Sequence, residues 1–131
     1  MNKKSYSLLE LNTFIKRILA LNFDQDIWVK SEILSLNIKK GHYYLTLIQK
    51  EEGSNEIVAQ INATIWSTEV QRIKKTNPDL DSYFIAGHEV MLGGTPIFHE
   101  KFGLQLRISS IDTAFTRGEK KKKREELFNR I

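Results

Sequence analysis

The sequence predicts a mainly β domain: a five-stranded OB-fold barrel with an N-terminal helix, a short helix between strands 3 and 4, and a charged C-terminal helix. Three observations predict it. Five short segments alternate apolar and polar residues with the period of two that a half-buried strand requires. A helix-forming stretch separates the third from the fourth. That is the element order of the OB-fold, a small, partly open barrel whose strand face and loops bind oligonucleotides or oligosaccharides. A glycine pair, Gly93-Gly94, interrupts the fourth segment, where a strand must bulge or bend for a barrel to close. A β-sandwich usually needs about seven strands, more than this chain supplies.

The elements follow in order. SLLELNTFIKRILAL places Leu8, Leu11, Ile15, Ile18 and Leu19 at helical spacing. Ser7 and Glu10 form a capping-box pattern. Lys16 and Arg17 are expected near the far end, where the helix dipole favours cations. In DIWVKSEIL, Ile27, Val29, Ser31 and Ile33 face one way, and Trp28, Lys30 and Glu32 the other. Lys39, Lys40 and Gly41 read as a turn. The strand after it carries His42, Tyr44 and Thr46 on one side and Tyr43, Leu45 and Leu47 on the other. EEGSN breaks the chain. EIVAQINATIW then places Ile57, Ala59, Ile61, Ala63 and Ile65 inward, with Asn62, Thr64 and Trp66 among the outward residues. In STEVQRIKKTNPDL, Ser67 or Thr68 can cap a short helix, Val70 and Ile73 can pack, and Asn77-Pro78 stops it. HEVMLGGTPIF and FGLQLRISSI complete the set, the latter with Leu104, Leu106 and Ile108 inward and Gln105 and Arg107 outward.

The 131 residues suggest one domain with a real core. The division expected is residues 1–115 as the OB domain with its helix, and residues 116–131 as a basic helical tail. No stretch approaches the ~20 apolar residues of a membrane span, and the N-terminus is unlike a signal peptide, so a cytoplasmic protein is expected. The absence of cysteine excludes disulfide scaffolds and thiolate metal sites. Net charge is +4, with 20 basic and 16 acidic residues, and much of the excess lies in RGEKKKKRE, Arg117 to Glu125. A polyanionic partner is permitted, but its surface on the body must be local.

The segments LLELNTFIKRIL, IWVKSEI, GHYYLTL, AQINATIWS and LQLRISSID, in that order and spacing, resemble the N-terminal domain of the exodeoxyribonuclease VII large subunit, over roughly Tyr6 to Asp112. The resemblance implies an OB-fold that binds single-stranded DNA for a nuclease. In that family the hydrolytic residues lie in a later domain, so the chain reads as the substrate-binding end of a larger enzyme, inactive alone. Its tail would lead into the missing catalytic domain. Its partners would be single-stranded DNA, the other large-subunit domains and the exonuclease VII small subunit, with no membrane and no small-molecule cofactor. The chain departs from the family at Ser31, usually glycine, and at Asn62, Gly93 and Thr95, often basic. Ile48-Gln49 replace a usual Lys-Asp. Fewer cations predict fewer phosphate contacts and a shallower salt dependence.

The candidate nucleic-acid residues combine rings with cations, the mixture that holds single strands. Trp28, Lys30, His42 and Tyr44 share one strand parity; alternatively, Trp28 packs under the helix and Tyr44 caps the barrel. Lys39 and Lys40 fall in the loop joining strands 1 and 2. Phe98, His99 and Lys101 fall around the loop joining strands 4 and 5, and Arg107 projects from the last strand. The alternative for the cations is plain solvation. His42, His88 and His99 lack metal-site spacing and read as surface histidines, although His42 and His99 could bond phosphates. No nucleophile, phosphate loop or carboxylate cluster stands out. Glu32 beside Lys30 reads as a salt bridge. Two further readings stay open: an RNA-binding module such as an anticodon-binding domain, and a module whose sheet face docks protein for nuclease assembly.

Overall fold

The structure, a computed structural model, describes residues 3–115. The polypeptide runs through α1 (Leu8–Asn22), β1 (Ile27–Lys39), β2 (His42–Lys50), β3 (Ile57–Ile65), α2 (Ser67–Thr76), a 3-10 turn (Leu80–Tyr83), β4 (Glu89–His99) and β5 (Gly103–Ile111). The strands close into a barrel in the order β1-β2-β3-β5-β4, with β3 and β5 parallel and the other pairs antiparallel. This is the mainly β five-strand barrel that the alternation and the element order predict. The expected C-terminal helix in 116–131 lies outside the described residues.

β1 is longer than the sequence suggests and carries the closure. Its first half, Ile27 to Glu32, pairs with β4; its second, Glu32 to Lys39, pairs with β2. Between Ile33 and Ser35 the register slips, leaving Leu34 as an extra residue. A bulge of this kind bends the strand and inverts its alternation. Ile33 points into the core before it, Leu36 packs on the core after it, and Ser35, Asn37 and Lys39 turn outward. Lys40 and Gly41, both at positive φ (53° and 81°), then make a two-residue hairpin turn. The second bend is at Gly93-Gly94, where the β4–β5 register shifts as expected. A Cβ on Gly94 would stand 2.2 Å from the Arg107 carbonyl oxygen, so no side chain fits there.

The interior is filled by inward residues of every strand, among them Ile33, Leu45, Leu47, Ile65, Leu92 and Ile108. Each such side chain stabilises the fold by roughly 1.5–3 kcal/mol on burial. Val70 and Ile73 of α2, with Leu80, Tyr83 and Phe84, belong to the same cluster. The Tyr43 hydroxyl donates to Asp81, which Lys74 also approaches at 3.5 Å, so β2, α2 and the 3-10 turn are tied together. Burial first, then that bond to a carboxylate, pushes the Tyr43 phenol above its usual range.

Several local expectations change. α2 starts after Trp66 with no side-chain cap from Ser67 or Thr68; instead the Ser67 N–H donates to Nδ1 of His42 on β2 (2.9 Å). α1 keeps its capping box, Glu10 N–H to Ser7 Oγ at 3.1 Å and Ser7 N–H to Glu10 Oε1 at 3.0 Å. It runs on to Asn22, however, so Lys16 and Arg17 lie mid-helix and no basic residue occupies the last turn. None of its residues is fully buried. Ile57 and Ala59 are exposed, because β3 meets β5 only at Asn62 to Thr64 and its first half overhangs with β2 alone. Glu32 pairs with Lys50 on β2 (3.1 Å) rather than with Lys30.

Asp26 pins the entry to β1. Thr95 Oγ1 and Ser109 Oγ donate to its carboxylate at 2.6 and 2.5 Å, and the Ser109 bond first, then the Thr95 bond, holds its pKa below the ordinary range. A carboxyl group depressed on folding contributes stability above its unfolded pKa of about 3.9 and loses it as pH falls through the folded value. We expect a melting temperature that is flat from pH 7 to about pH 5 and falls below about pH 4, with a smaller fall in Asp26→Asn, measured by circular dichroism. Leu80 is fully buried. Leu80→Ala is expected to cost about 2–5 kcal/mol in urea unfolding.

Candidate nucleic-acid interface

The outward side chains of β1, β2, β3 and β5 form a concave groove of about 790 Å³. Strand register sets it out as rungs. Asn37 on β1 pairs with Tyr44 on β2, and Tyr44 with Thr64 on β3. The neighbouring rung runs Ser35, Thr46, Asn62, Gln105 and then Ile97 on β4, unbroken across five strands. The bulge at Leu34 brings Ser35 and Asn37 into these rungs.

Aromatic rings stand at both ends. At one, His42 packs edge-on against Trp66 at 4.9 Å and against Tyr44 at 6.3 Å. Because Nδ1 of His42 accepts from the first N–H of α2, that cluster is fixed to the helix start. Tyr44 is 37% and Trp66 38% exposed, so each keeps a free ring face. At the other end is the β4–β5 turn. His99 Nδ1 accepts the backbone N–H groups of Lys101 (3.0 Å) and Phe102 (3.3 Å), and its ring lies 4.7 Å from that of Phe102. Phe102 is 64% exposed and lines the groove. The turn is held from behind by α1: Asn12 donates to the Glu100 carbonyl and Lys16 to its carboxylate, both at 2.8 Å. The Lys16 ammonium first, with a backbone N–H, holds the Glu100 carboxyl below the usual carboxylate range.

Charge is arranged at the rims. None of the described residues lining the groove is Asp, Glu, Lys or Arg. Lys39 pairs with His42 and Lys40 follows in the turn, beside the Trp66 end. Lys101 sits over the Phe102 ring at 5.5 Å, at the other end.

Of the residues singled out from sequence, the structure brings Tyr44 and His99 into the groove, His42 against its rings, and Lys39, Lys40 and Lys101 to its ends. Trp28 and Lys30 lie elsewhere. They belong to the half of β1 that pairs with β4, before the bulge. Trp28, 58% exposed, does not lie under the helix; its ring covers Gly93, and the Lys30 ammonium lies 5.5 Å from the Phe115 ring. Phe98 pairs with Leu104 and has the parity opposite to Ile97 and His99. Arg107 continues the Asn37–Tyr44–Thr64 rung onto β5, between Thr64 and Thr95, but it lines a separate hollow with Asp26 and Glu69 rather than the groove. His42, behind the rings, and His99, in the groove, both spend Nδ1 on backbone N–H groups, so only Nε2 is left for a ligand. Sequence reasoning missed Trp66 and Phe102. The signal for Trp66 was present in its outward parity on β3. Among the described residues there is no group of His, Cys, Asp or Glu that could hold a metal ion. No helix among them is long and apolar enough to cross a membrane.

Residues 6–112 match the family model described as the OB-fold nucleic acid binding domain. The chain is 30% identical over 117 residues to the exodeoxyribonuclease 7 large subunit of Deinococcus radiodurans, and 30% identical over 83 residues to that of Parasynechococcus marenigrum. The two alignments cover 86% and 63% of this chain but only 28% and 20% of the relatives, the homology being with their N-terminal region. Among solved structures, an OBody bound to hen egg-white lysozyme superposes with a TM-score of 0.50 at 13% identity, covering 86% of this chain and 94% of that one, a likeness of fold alone.

Stacking on an aromatic side chain is worth about 1–3 kcal/mol per base. Tyr44→Ala and Phe102→Ala are therefore each expected to weaken oligonucleotide binding about fivefold or more, with unchanged melting, in a fluorescence titration. Unchanged affinity would remove that ring from the site.

Proposed function

The chain belongs to the OB-fold nucleic acid binding domain family, and from that premise we propose that it binds single-stranded DNA as the substrate-holding module of an exodeoxyribonuclease VII large subunit. The observation that carries the reading is the groove: exposed rings at both ends, lysines beyond each ring, and a hydrogen-bonding floor between. A single strand offers free base faces for the rings and phosphates for Lys39, Lys40 and Lys101. A duplex hides its base faces in the stack. From the Tyr44 rung, which reaches β5 at Arg107, to Gly103 at the Phe102 turn is four residues along the strand, about 13 Å. That suits the short end of the roughly 4–16 nucleotides bound per OB-fold.

Cleavage would fall to other parts of the enzyme. The chain spans about a quarter of its relatives' length, which leaves room for a catalytic domain. The remaining large-subunit domains are the proposed assembly partner, with the small subunit joining them. What supports assembly is α1, whose Leu8, Leu9 and Leu21 are largely exposed although the helix is well capped. The work would be DNA breakdown in the cytoplasm.

Titration of ten-nucleotide DNA, RNA of the same sequence, and duplex, at 50 and 200 mM salt, tests this. We expect single-stranded DNA to bind best and to remain uncut. Three phosphate contacts give a log–log salt slope of about −2, at ~0.7 per phosphate for single strands. Preference for RNA would favour the anticodon-binding alternative. No binding even at low salt would overturn the nucleic-acid reading and favour protein docking.

A further inference from the structure

A groove that only tracked a polyanion would carry cations along its length. This one carries three carboxamides, Asn37, Asn62 and Gln105, and no charge. None of the three has a side-chain hydrogen-bond partner within the described chain. Asn62 and Gln105 are direct register partners on the parallel pair β3–β5, and Thr46 and Ser35 extend the same rung. Two free carboxamides therefore stand side by side in the middle of the floor, with ring platforms on either side.

We propose that Asn62 and Gln105 are specificity-determining residues that hydrogen-bond the edges of unpaired bases and favour adenine. This rests on the single-strand reading above. A base stacked on a ring presents its edge sideways, and single strands leave both the Watson–Crick and Hoogsteen edges open. A carboxamide offers an N–H donor beside a C=O acceptor, the complement of adenine N6 and N7. Thymine lacks a donor on that edge, where it offers only the O4 acceptor and a methyl group. Phosphates gain little from a neutral floor, so they are left to the lysines at the two ends. Binding that rests on stacking and cations alone tolerates every base; the neutral rung departs from that scheme.

The test uses ten-nucleotide single strands: all-thymine, thymine with alternating adenine, and an abasic strand of the same length. Protein fluorescence is followed at 150 mM salt. We expect the adenine-containing strand to bind about tenfold more tightly than all-thymine, and the abasic strand to bind more weakly than both. Asn62→Ala and Gln105→Ala should each bring the ratio towards one, chiefly by weakening the adenine-containing strand. Gln105→Leu, which keeps the side-chain volume, should do the same and guards against a cavity effect. Tyr44→Ala should weaken both base-bearing strands alike and preserve the ratio. Equal binding of the two base-bearing strands by the unmodified chain would overturn the proposal, as would a ratio that survives all three substitutions. Failure of every strand to bind would overturn the single-strand reading itself, a result distinct from equal binding.

Discussion

Barrel closure is the constraint from which the other features follow. β1 must bond to β4 along one half and to β2 along the other, so it has to turn a corner without losing its ladder. The extra residue at Leu34 makes that corner. On β4 the corner is made by Gly93, under the Trp28 ring and the Ser110 hydroxyl, and by Gly94, packed so closely against the Arg107 backbone that a side chain is excluded. These two irregularities decide which side chains share a surface. Before the bulge the outward residues of β1 are Trp28 and Lys30; after it they are Ser35, Asn37 and Lys39. The groove is built from the second set.

The placement of charge follows from this geometry and bears on how a ligand could be held. Lysines sit in the hairpin turn of β1–β2 and in the turn of β4–β5, where long flexible side chains stay hydrated. The floor between them consists of short hydroxyl and amide side chains on rigid strands. Directional hydrogen bonding therefore comes from the stiff part of the molecule, and non-directional attraction from its edges.

Much of the fold was legible because the strands obey a simple alternation. Leu45, Leu47, Leu106 and Ile108 read as core and are core. The Ser7/Glu10 capping box and the Gly93-Gly94 bend were legible because their chemistry is local. Legibility failed where the cause is tertiary. The run Ile33, Leu34, Leu36 contains the phase slip, but only pairing with Leu47 and Leu45 reveals it. The cap of α2 comes from His42, 25 residues away, and no local pattern announces it. For the same reason Trp28 and Tyr44 share a parity in sequence yet stand on different parts of the barrel. The central rung depends on four inter-strand registers at once, so its members could be seen only as scattered polar residues.

The β4–β5 turn is fastened on two sides, by His99 from within and by Asn12 and Lys16 from α1. A loop already set in its working shape has little disorder left to surrender when a molecule arrives. Encounters at that end of the groove can therefore proceed at the pace of diffusion and orientation rather than waiting for a rearrangement. In the proposed complex, lifetime of the bound state, not speed of capture, would be the quantity set at Phe102 and its neighbours.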